Sequence, residues 1–334
     1  MRKSVLFTPG LRIGHAQDSE ALTGCTVILC EKGAVGGVDQ RGGAPGTRET
    51  DALYPLHLVQ HVHAIVLAGG SAFGLDAASG AVRYLEEKGV GFDVRVARVP
   101  IVPSAILFDL GLGRADVRPD AAMGYLACLN ATSGWPAEGN MGAGCGASVG
   151  KIFGIERAMK SGIGCARLEI GGGLVVSAIV AVNAFGDIIN PVNGEIIAGA
   201  RRGQHFKSGP KISRGDFQAQ FANTLEVMKT LIGRTAMGFA SRENTVIGVV
   251  ATNAKLNKEQ VNKVAQMAQD GLARTVRPAH TMLDGDTIFA LSTGNHRADV
   301  NIIGAFAAEA FAQAVLRAAR QAQPAGGLPA ISGP

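Results

Sequence analysis

The stretch of the chain richest in β-branched residues reads Thr245-Val246-Ile247-Gly248-Val249-Val250-Ala251-Thr252. Its β-branched and small apolar residues, which follow a polar segment, predict a strand. A helical pattern follows over residues 258–274, and a second strand over residues 287–292 leads into an Ala-rich helix over residues 299–321. This alternation predicts a mixed α/β fold.

The same alternation continues upstream. Short apolar strands are predicted at residues 25–29 and 63–68, and helices at residues 50–62 and 71–88. Ser71 has the residue type of an N-cap for the second of these helices. The upstream half therefore also indicates α/β architecture.

Three further segments carry distinct local signals. Residues 173–189 predict a β-hairpin because two apolar runs flank a short turn. Residues 203–243 are polar with Gly and Pro at their start, and they predict a long excursion with one short helix near residues 217–231. The Gly/Pro-rich tail over residues 324–334 is expected to be frayed.

Composition bounds the class of protein. The chain has 334 residues, of which 47% are apolar and 18% charged, as expected for a soluble globular protein. The net charge of +5 is dispersed and aromatic residues make up only 5%, so no nucleic-acid partner is expected. No apolar run reaches the roughly 18 residues that span a bilayer, and the N-terminal apolar run is too short for a signal peptide. We therefore expect a cytoplasmic protein with no membrane contact.

Three segments are similar to known cofactor-binding or catalytic motifs but do not match them. The glycines of GAGCG at residues 142–146 are not spaced as GxGxxG, and GGSAFG at residues 69–74 misses GxSxG by one residue. HLVQH at residues 57–61 lacks the glutamate of a zinc protease helix. The five cysteines form no CxxC pair, so buried free thiols are predicted. Neither a metal nor an organic cofactor is expected.

The pair Asn244-Thr245 stands where the polar segment meets the strand. A chain cut before Thr245 would place the threonine hydroxyl beside its own free amine. Such an amine has a pKa near 8, so it can act as the base that activates the hydroxyl. The residues alone leave open an ordinary strand start.

Two carboxylates flank one glycine in Asp284-Gly285-Asp286, just before the strand at Thr287. Two acidic groups near one strand start could orient an ammonium group or share a proton. A solvated turn is the alternative interpretation.

Six motifs follow one another along nearly the whole chain: PGLRIGH at residues 9–15, RGGAPGTRE at 41–49, GAGCGASVGK at 142–151, TVIGVVATNA at 245–254, DGLAR at 270–274 and HTMLDGDT at 280–287. In this order they resemble the DmpA-type aminopeptidases and their relatives, the nylon-oligomer (6-aminohexanoate oligomer) hydrolases. The resemblance favours the nucleophile interpretation of Thr245.

The resemblance implies a precursor that cuts itself before the nucleophile. It implies an α fragment of residues 1–244 and a β fragment of residues 245–334, intertwined in one domain. The implied fold is an αββα four-layer sandwich of the N-terminal-nucleophile hydrolase type. It also implies a homotetramer of such αβ units.

The resemblance further implies a role for each site residue. Thr245 would attack the Asn244 carbonyl during maturation and the substrate amide during turnover, through an acyl-enzyme. Asp284 and Asp286 would lie beside the new amine and tune its charge. Two further residues would complete the site, with positive charge supplied by Lys151 and an oxyanion donor by Asn183.

One difference from the aminopeptidase pattern restricts the class of substrate that we expect. Where the aminopeptidases have a Glu-x-Tyr-Asp stretch that receives the substrate's amino terminus, this chain has Ile106-Leu107-Phe108-Asp109. An ammonium group bound at Ile106 and Phe108 would lack a partner, which is costly. We therefore expect a linear amide substrate of the nylon-oligomer type.

Three alternatives remain open. The chain could be an aminopeptidase or β-peptidyl aminopeptidase of the same family, or it could resemble an ornithine acetyltransferase, whose motifs fit less well. If the bond before Thr245 is never cut, the amine base does not exist and the protein would be a non-catalytic binding protein.

Overall fold

The computed structural model describes residues 7–202, 220–230 and 244–331. The strands within these ranges are β1 (Arg12–Asp18), β2 (Thr23–Gln40), β3 (Thr47–Arg48), β4 (His61–Ala68), β5 (Phe92–Asp93), β6 (Arg98–Val99), β7 (Ser104–Ile106), β8 (Ser148–Val149), β9 (Met159–Lys160), β10 (Ile163–Glu169), β11 (Val175–Asn183), β12 (Asp187–Ile189), β13 (Ile196–Ala198), β14 (Thr245–Ala254), β15 (Val276–Arg277) and β16 (Thr287–His296). The α-helices are α1 (Ala77–Glu87), α2 (Ala121–Leu129), α3 (Thr224–Lys229), α4 (Lys258–Thr275) and α5 (Val300–Gln321). The mixed α/β prediction is thus confirmed.

One nine-stranded sheet dominates the molecule. Its strand order is β10-β11-β14-β16-β2-β4-β7-β3, and β1 pairs with β2 beside this path. A smaller sheet has the order β13-β12-β15, and the short pairs β5-β6 and β8-β9 stand apart. The strand that carries the candidate nucleophile, β14, therefore lies inside the large sheet.

Strand β14 is buried on both faces along its whole length. On one face Val246 and Val250 join an apolar cluster with α4 and α5. On the other face Ile247 and Val249 join a cluster that also contains residues of β2 and β4. A strand covered on both sides requires the continuous apolar run that the sequence shows.

A third apolar cluster packs α1 and α2 against β1, β2 and β4. At the opposite side, α5 packs on α4, β10 and β11. Helix α5 is long and apolar enough to cross a membrane by length and composition, but 61% of its apolar window is buried inside the protein. Its packing is that of a core helix.

The helix predicted at residues 50–62 is wrong. Asp51–Leu53 form one turn of 3-10 helix, and β4 begins at His61. The segment between them is held by Lys258, whose buried ammonium donates to the carbonyl oxygens of Ala52, Tyr54 and His57 at 2.9, 3.0 and 3.1 Å. The ammonium of Lys258 thus supplies donors to carbonyl oxygens of a segment that has no helical ladder of its own.

The hairpin predicted at residues 173–189 is also wrong. Strand β11 pairs with β10 and β14 in the large sheet, whereas β12 pairs with β13 and β15 in the smaller one. The chain changes sheets between Asn183 and Asp187 because both edges of β11 are already occupied.

The structure also bears on the predictions for Ser71, for the C-terminal tail and for the excursion over residues 203–243. Ser71 begins a 3-10 helix at φ +54° and does not cap it, because Gly70 holds the cap position. The tail is packed up to residue 331, with Leu328 buried and the Pro329 carbonyl accepting from the Lys160 backbone N–H at 2.8 Å. Helix α3 lies within the short helix predicted near residues 217–231, while the rest of that excursion, residues 203–219 and 231–243, lies outside the described residues.

All five cysteines are free and buried, as predicted. Burial raises the pKa of the Cys145 thiol to about 11 and that of Cys128 to about 12. Such thiols are neither nucleophiles nor metal ligands at neutral pH.

Candidate active site

Three strand ends meet at one edge of the large sheet. β11 ends at Asn183, β14 begins at Thr245 and β16 begins at Thr287. Because β11 runs antiparallel and β16 parallel to β14, the end of β11 lies beside the beginnings of the other two. Asn183 is paired directly with Thr245 across the β11–β14 ladder. The topology thus gathers residues that lie far apart in the sequence.

The peptide bond before Thr245 is buried at this edge. Asn244 is 2% exposed and Thr245 is 4% exposed. The carbonyl oxygen of Asn244 accepts a hydrogen bond from the backbone N–H of Gly285 at 3.0 Å. The Thr245 hydroxyl donates to the same oxygen. The hydroxyl therefore lies against the carbonyl group that a self-cleavage reaction would attack.

Asn183 is held by three groups. Its Oδ1 accepts from the Lys151 ammonium at 2.7 Å and from the Ser148 backbone N–H at 3.0 Å. Its Nδ2 donates to the carbonyl oxygen of Phe108 at 2.7 Å. Lys151 is 6% exposed and also donates to the Asn183 backbone carbonyl at 3.3 Å. A buried positive charge thus contacts the residue that is paired with Thr245.

Asp286 is tied to the residue after the candidate nucleophile. Its Oδ1 accepts from the Val246 backbone N–H at 2.8 Å. Its Oδ2 accepts from the His280 backbone N–H and contacts the His280 ring Nδ1, both at 3.0 Å. Because Val246 directly follows Thr245, this carboxylate fixes the beginning of β14 relative to the turn before β16.

Asp284 lies in the same turn in a different electrostatic environment. Its Oδ2 accepts from the backbone N–H and the hydroxyl of Thr281 at 2.8 and 2.5 Å. Burial and the negative charge of Asp286 raise the pKa of Asp284 to about 6, against the opposing effects of Thr281 and Lys151. This carboxyl can therefore change its protonation state near neutral pH.

The two apolar residues predicted to line the substrate pocket have different surroundings. Phe108 is half-buried and reaches the site through its carbonyl contact with Asn183. Ile106 is 6% exposed and belongs to the cluster with α1, and its Cδ1 lies 2.5 Å from where a Cβ on Gly46 would be. The structure thus brings the backbone carbonyl of Phe108 into contact with a proposed catalytic residue, and it places Ile106 in the apolar cluster with α1.

Asp109 follows Phe108 and is a second buried carboxyl. Its Oδ1 accepts from the Gly70 N–H at 2.7 Å and its Oδ2 from the Thr23 hydroxyl at 2.8 Å. Burial raises the pKa of Asp109 to about 6 although both hydrogen bonds and Lys151 act in the opposite direction. The carboxyl thus ties the segments that carry Thr23 and Gly70 to the one that carries Phe108.

Sequence reasoning missed three polar groups near this site: the N–H groups of Gly285 and Ser148, and the ammonium of Lys160. Backbone donors leave no mark in residue type, but a lysine within small apolar residues is a signal that could have identified Lys160. Its fully buried ammonium donates to three carbonyl oxygens, at 3.2, 2.9 and 2.6 Å, those of Gly144, Ala147 and Ser161. Lys160 thereby supports the loop that presents Ser148 to Asn183.

Within residues 7–202, 220–230 and 244–331, no group of three or more His, Cys, Asp or Glu side chains could hold a metal ion. The polar groups around Thr245 instead form hydrogen bonds with one another and with the backbone. What they offer chemically is a buried hydroxyl, a polarised carbonyl, a lysine and a titratable carboxyl.

Comparisons with known proteins identify the family of this chain. The model of peptidase family S58 matches residues 6–330. An uncharacterized aminopeptidase of Mycobacterium tuberculosis is 40% identical over 351 aligned positions, covering 98% of this chain and 96% of that protein. A 6-aminohexanoate-oligomer endohydrolase of Kocuria sp. is 32% identical, covering 93% of this chain and 84% of that protein.

Two solved structures share the fold. A beta-aminopeptidase of Burkholderia sp. superposes with a TM-score of 0.69 at 19% identity, covering 97% of this chain and 89% of that one. The L-aminopeptidase D-Ala-esterase/amidase of Ochrobactrum anthropi, described as a variant of the Ntn hydrolase fold, gives 0.68 at 18% identity, with coverage of 96% and 89%. The fold is therefore of the mixed α/β type with Ntn-hydrolase-like neighbours.

Proposed function

The chain belongs to peptidase family S58 and is a hydrolase acting on amide bonds, and we propose that it is an N-terminal-nucleophile enzyme that cuts its own chain before Thr245. The observation that carries this proposal is the Thr245 hydroxyl lying against the buried Asn244 carbonyl. The cut gives an α fragment of residues 1–244 and a β fragment of residues 245–334. One apolar cluster contains helices α4 and α5, the next joins residues from strands of the large sheet, and the third contains helices α1 and α2. This order supports an αββα arrangement of the two fragments together.

Maturation is an N-to-O acyl shift followed by hydrolysis. The Thr245 oxygen bonds to the Asn244 carbonyl carbon, the bond from that carbon to the Thr245 nitrogen breaks, and the hydroxyl proton ends on that nitrogen. Water then hydrolyses the ester, which releases the Asn244 carboxyl group and restores the hydroxyl. The fragment that begins with Thr245 now carries a free amine next to its nucleophile.

Turnover uses the same oxygen. The amine of Thr245 takes the hydroxyl proton as the oxygen attacks the substrate carbonyl. The substrate C–N bond then breaks, its nitrogen takes that proton and leaves as the amine product, and water hydrolyses the acyl-enzyme to the free acid and the Thr245 hydroxyl. Asp284 and Asp286 tune the charge of the amine, because both carboxyls lie in the turn beside the start of β14. Asn183, oriented by Lys151, donates to the developing oxyanion.

The proposed substrate is a linear amide with apolar spacers, of the kind named for the 6-aminohexanoate-oligomer endohydrolases. Ile106 is apolar and buried, and the nearby carboxyl of Asp109 already accepts from Gly70 and Thr23. A substrate ammonium bound there would lose its hydration without gaining a free carboxylate.

Aminopeptidase action is the second candidate, and one observation favours it: relatives 40% identical to this chain carry that name. The two candidates differ in their need for a free amino end. Endo-hydrolysis predicts cleavage of 6-aminohexanoate oligomers whether the amino end is free or acetylated. Release of amino-terminal residues from unblocked peptides only, with no action on acetylated oligomers, supports the aminopeptidase.

The first experiment is intact mass and denaturing electrophoresis of the purified chain, with N-terminal sequencing of the smaller fragment. A fragment beginning at Thr245 is expected, and Thr245→Ala should abolish both the cut and turnover. Thr252→Ala is the matched control, since that buried hydroxyl lies on the same strand but donates to Val175 O at 2.8 Å. A single chain of 34.3 kDa, or amidase activity in Thr245→Ala, contradicts the proposal.

A further inference from the structure

The Thr245 hydroxyl and the Gly285 N–H both donate to the Asn244 carbonyl oxygen, and these two donors have different fates in the cleavage reaction. The Thr245 hydroxyl loses its proton as it becomes the nucleophile. The N–H of Gly285, at 3.0 Å from the oxygen, keeps its proton throughout. Negative charge develops on this same oxygen when the carbonyl is attacked, so a donor that remains in place stabilises the transition state.

We propose that the backbone N–H of Gly285 is the oxyanion donor of the self-cleavage step, a role distinct from that of Asn183 in turnover. The proposal rests on the self-cleavage proposed above. In the step concerned, the Thr245 oxygen forms a bond to the Asn244 carbonyl carbon and the carbonyl electron pair moves onto the oxygen. Collapse of this intermediate expels the Thr245 nitrogen, which takes the hydroxyl proton.

The peptide unit that carries this N–H is held at both ends. Its carbonyl oxygen, that of Asp284, accepts from the Ala44 N–H at 2.9 Å. The next carbonyl, that of Gly285, accepts from the Thr287 hydroxyl at 2.9 Å. The donor is therefore oriented before the reaction begins, and a preorganised donor needs no rearrangement as charge develops.

The absence of a side chain at residue 285 fits the same role. A Cβ on Gly285 would lie 2.9 Å from the Thr245 hydroxyl oxygen and 2.7 Å from the Ala44 carbonyl oxygen. Only a glycine brings its backbone this close to the nucleophile without displacing it. Asn183 differs, because its Nδ2 faces the Phe108 carbonyl at 2.7 Å before the chain is cut.

The test removes this one N–H and leaves every side chain intact. The whole chain is made by in vitro translation with glycolic acid in place of Gly285, which converts the amide between residues 284 and 285 into an ester. Loss of a single oxyanion donor costs about 10²–10³-fold in rate, so formation of the fragment that begins at Thr245 should slow by that factor. The rate is followed by mass on the protease-resistant fraction, so that unfolded chains do not count.

The matched control places lactic acid at Ala44. This ester removes the N–H that supports the same turn at the Asp284 carbonyl, without touching Asn244. Its effect should stay below about tenfold, as expected for one ordinary hydrogen bond. A wild-type rate in the residue-285 ester, or equal slowing in both esters, overturns the assignment. A wild-type chain that never cuts instead overturns the self-cleavage itself.

Discussion

Replacing Gly42 with alanine should displace the turn that carries Asp284 and Asp286 without altering either carboxylate. The new Cβ would lie 2.2 Å from the Asp284 carbonyl oxygen and 2.5 Å from the Asp286 backbone nitrogen. Ordinary contacts begin at 3.4 Å, so residue 42 and the turn must separate by about 1 Å in this close-packed interior. Misplacement by about 1 Å can cost about 10²-fold in rate. We expect Gly42→Ala to slow chain cleavage by about that factor.

The assay is the appearance of the fragment that begins at Thr245, followed by denaturing electrophoresis and intact mass. Gly248→Ala is the matched control, because its Cβ would crowd the Phe311 ring at 2.7 Å farther along β14. Overpacking should lower the free energy of unfolding of both variants by about 1–3 kcal/mol, but only Gly42→Ala should lose cleavage. Wild-type cleavage by Gly42→Ala at unchanged stability would show that the position of this turn does not control the cut. Equal losses in both variants would show that stability alone limits the rate.

Three further predictions test the buried titratable groups. Cleavage of the uncut chain should slow as pH drops through about 6, where Asp284 gains its proton, and Asp284→Asn should remove this acid limb while Asp109→Asn, whose carboxyl also has a pKa of about 6, should keep it. In urea unfolding on a Thr245→Ala background, the Asp284 carboxyl should make stability fall as pH rises from about 4 to 6, by up to about 1.4 kcal/mol per unit, because the folded chain keeps a proton that the unfolded chain has lost. Asp284→Asn should remove this contribution and keep that of Asp109, whose pKa is also raised to about 6. Lys160→Met should lower the free energy of unfolding by about 1–3 kcal/mol, because three buried carbonyl oxygens lose the ammonium and, within the described part of the chain, only those of Gly144 and Ala147 keep a backbone donor. A loss below about 1 kcal/mol in the same assay would contradict this role.

The sequence predicts the elements around the nucleophile because their local signals agree with their packing. Strand β14 extends the predicted 245–252 by only two residues. Helix α4 begins where Asn257 and Gln260 form a capping box, close to the predicted start at residue 258. Periodicity and capping are local properties, so one chain is enough to read them.

The failures occur where distant residues decide the local structure. The conformation of the segment after Leu53 depends on hydrogen bonds from Lys258, which lies about two hundred positions later in the sequence. Residues 187–189 join a second sheet because β11 has no free edge. The family resemblance implied that Lys151 and Asn183 belong to one site, whereas their spacing in the sequence does not predict it. The Gly285 donor belongs to the backbone, and residue type carries no information about where a backbone N–H points.

The strand order of the large sheet determines how the two fragments of a cut chain can separate and reassemble. After a cut before Thr245, the second fragment contributes β14 and β16 as inner strands of the sheet. They are flanked by β11 on one side and by β2 on the other, and β11 and β2 belong to the first fragment. Pieces interleaved in this way separate only when the sheet itself comes apart. Once apart, they must meet again by collision, so recovery depends on concentration, whereas the uncut chain refolds alone. Cleavage would thus replace a chain whose refolding does not depend on concentration by two pieces whose recovery from complete unfolding falls on dilution.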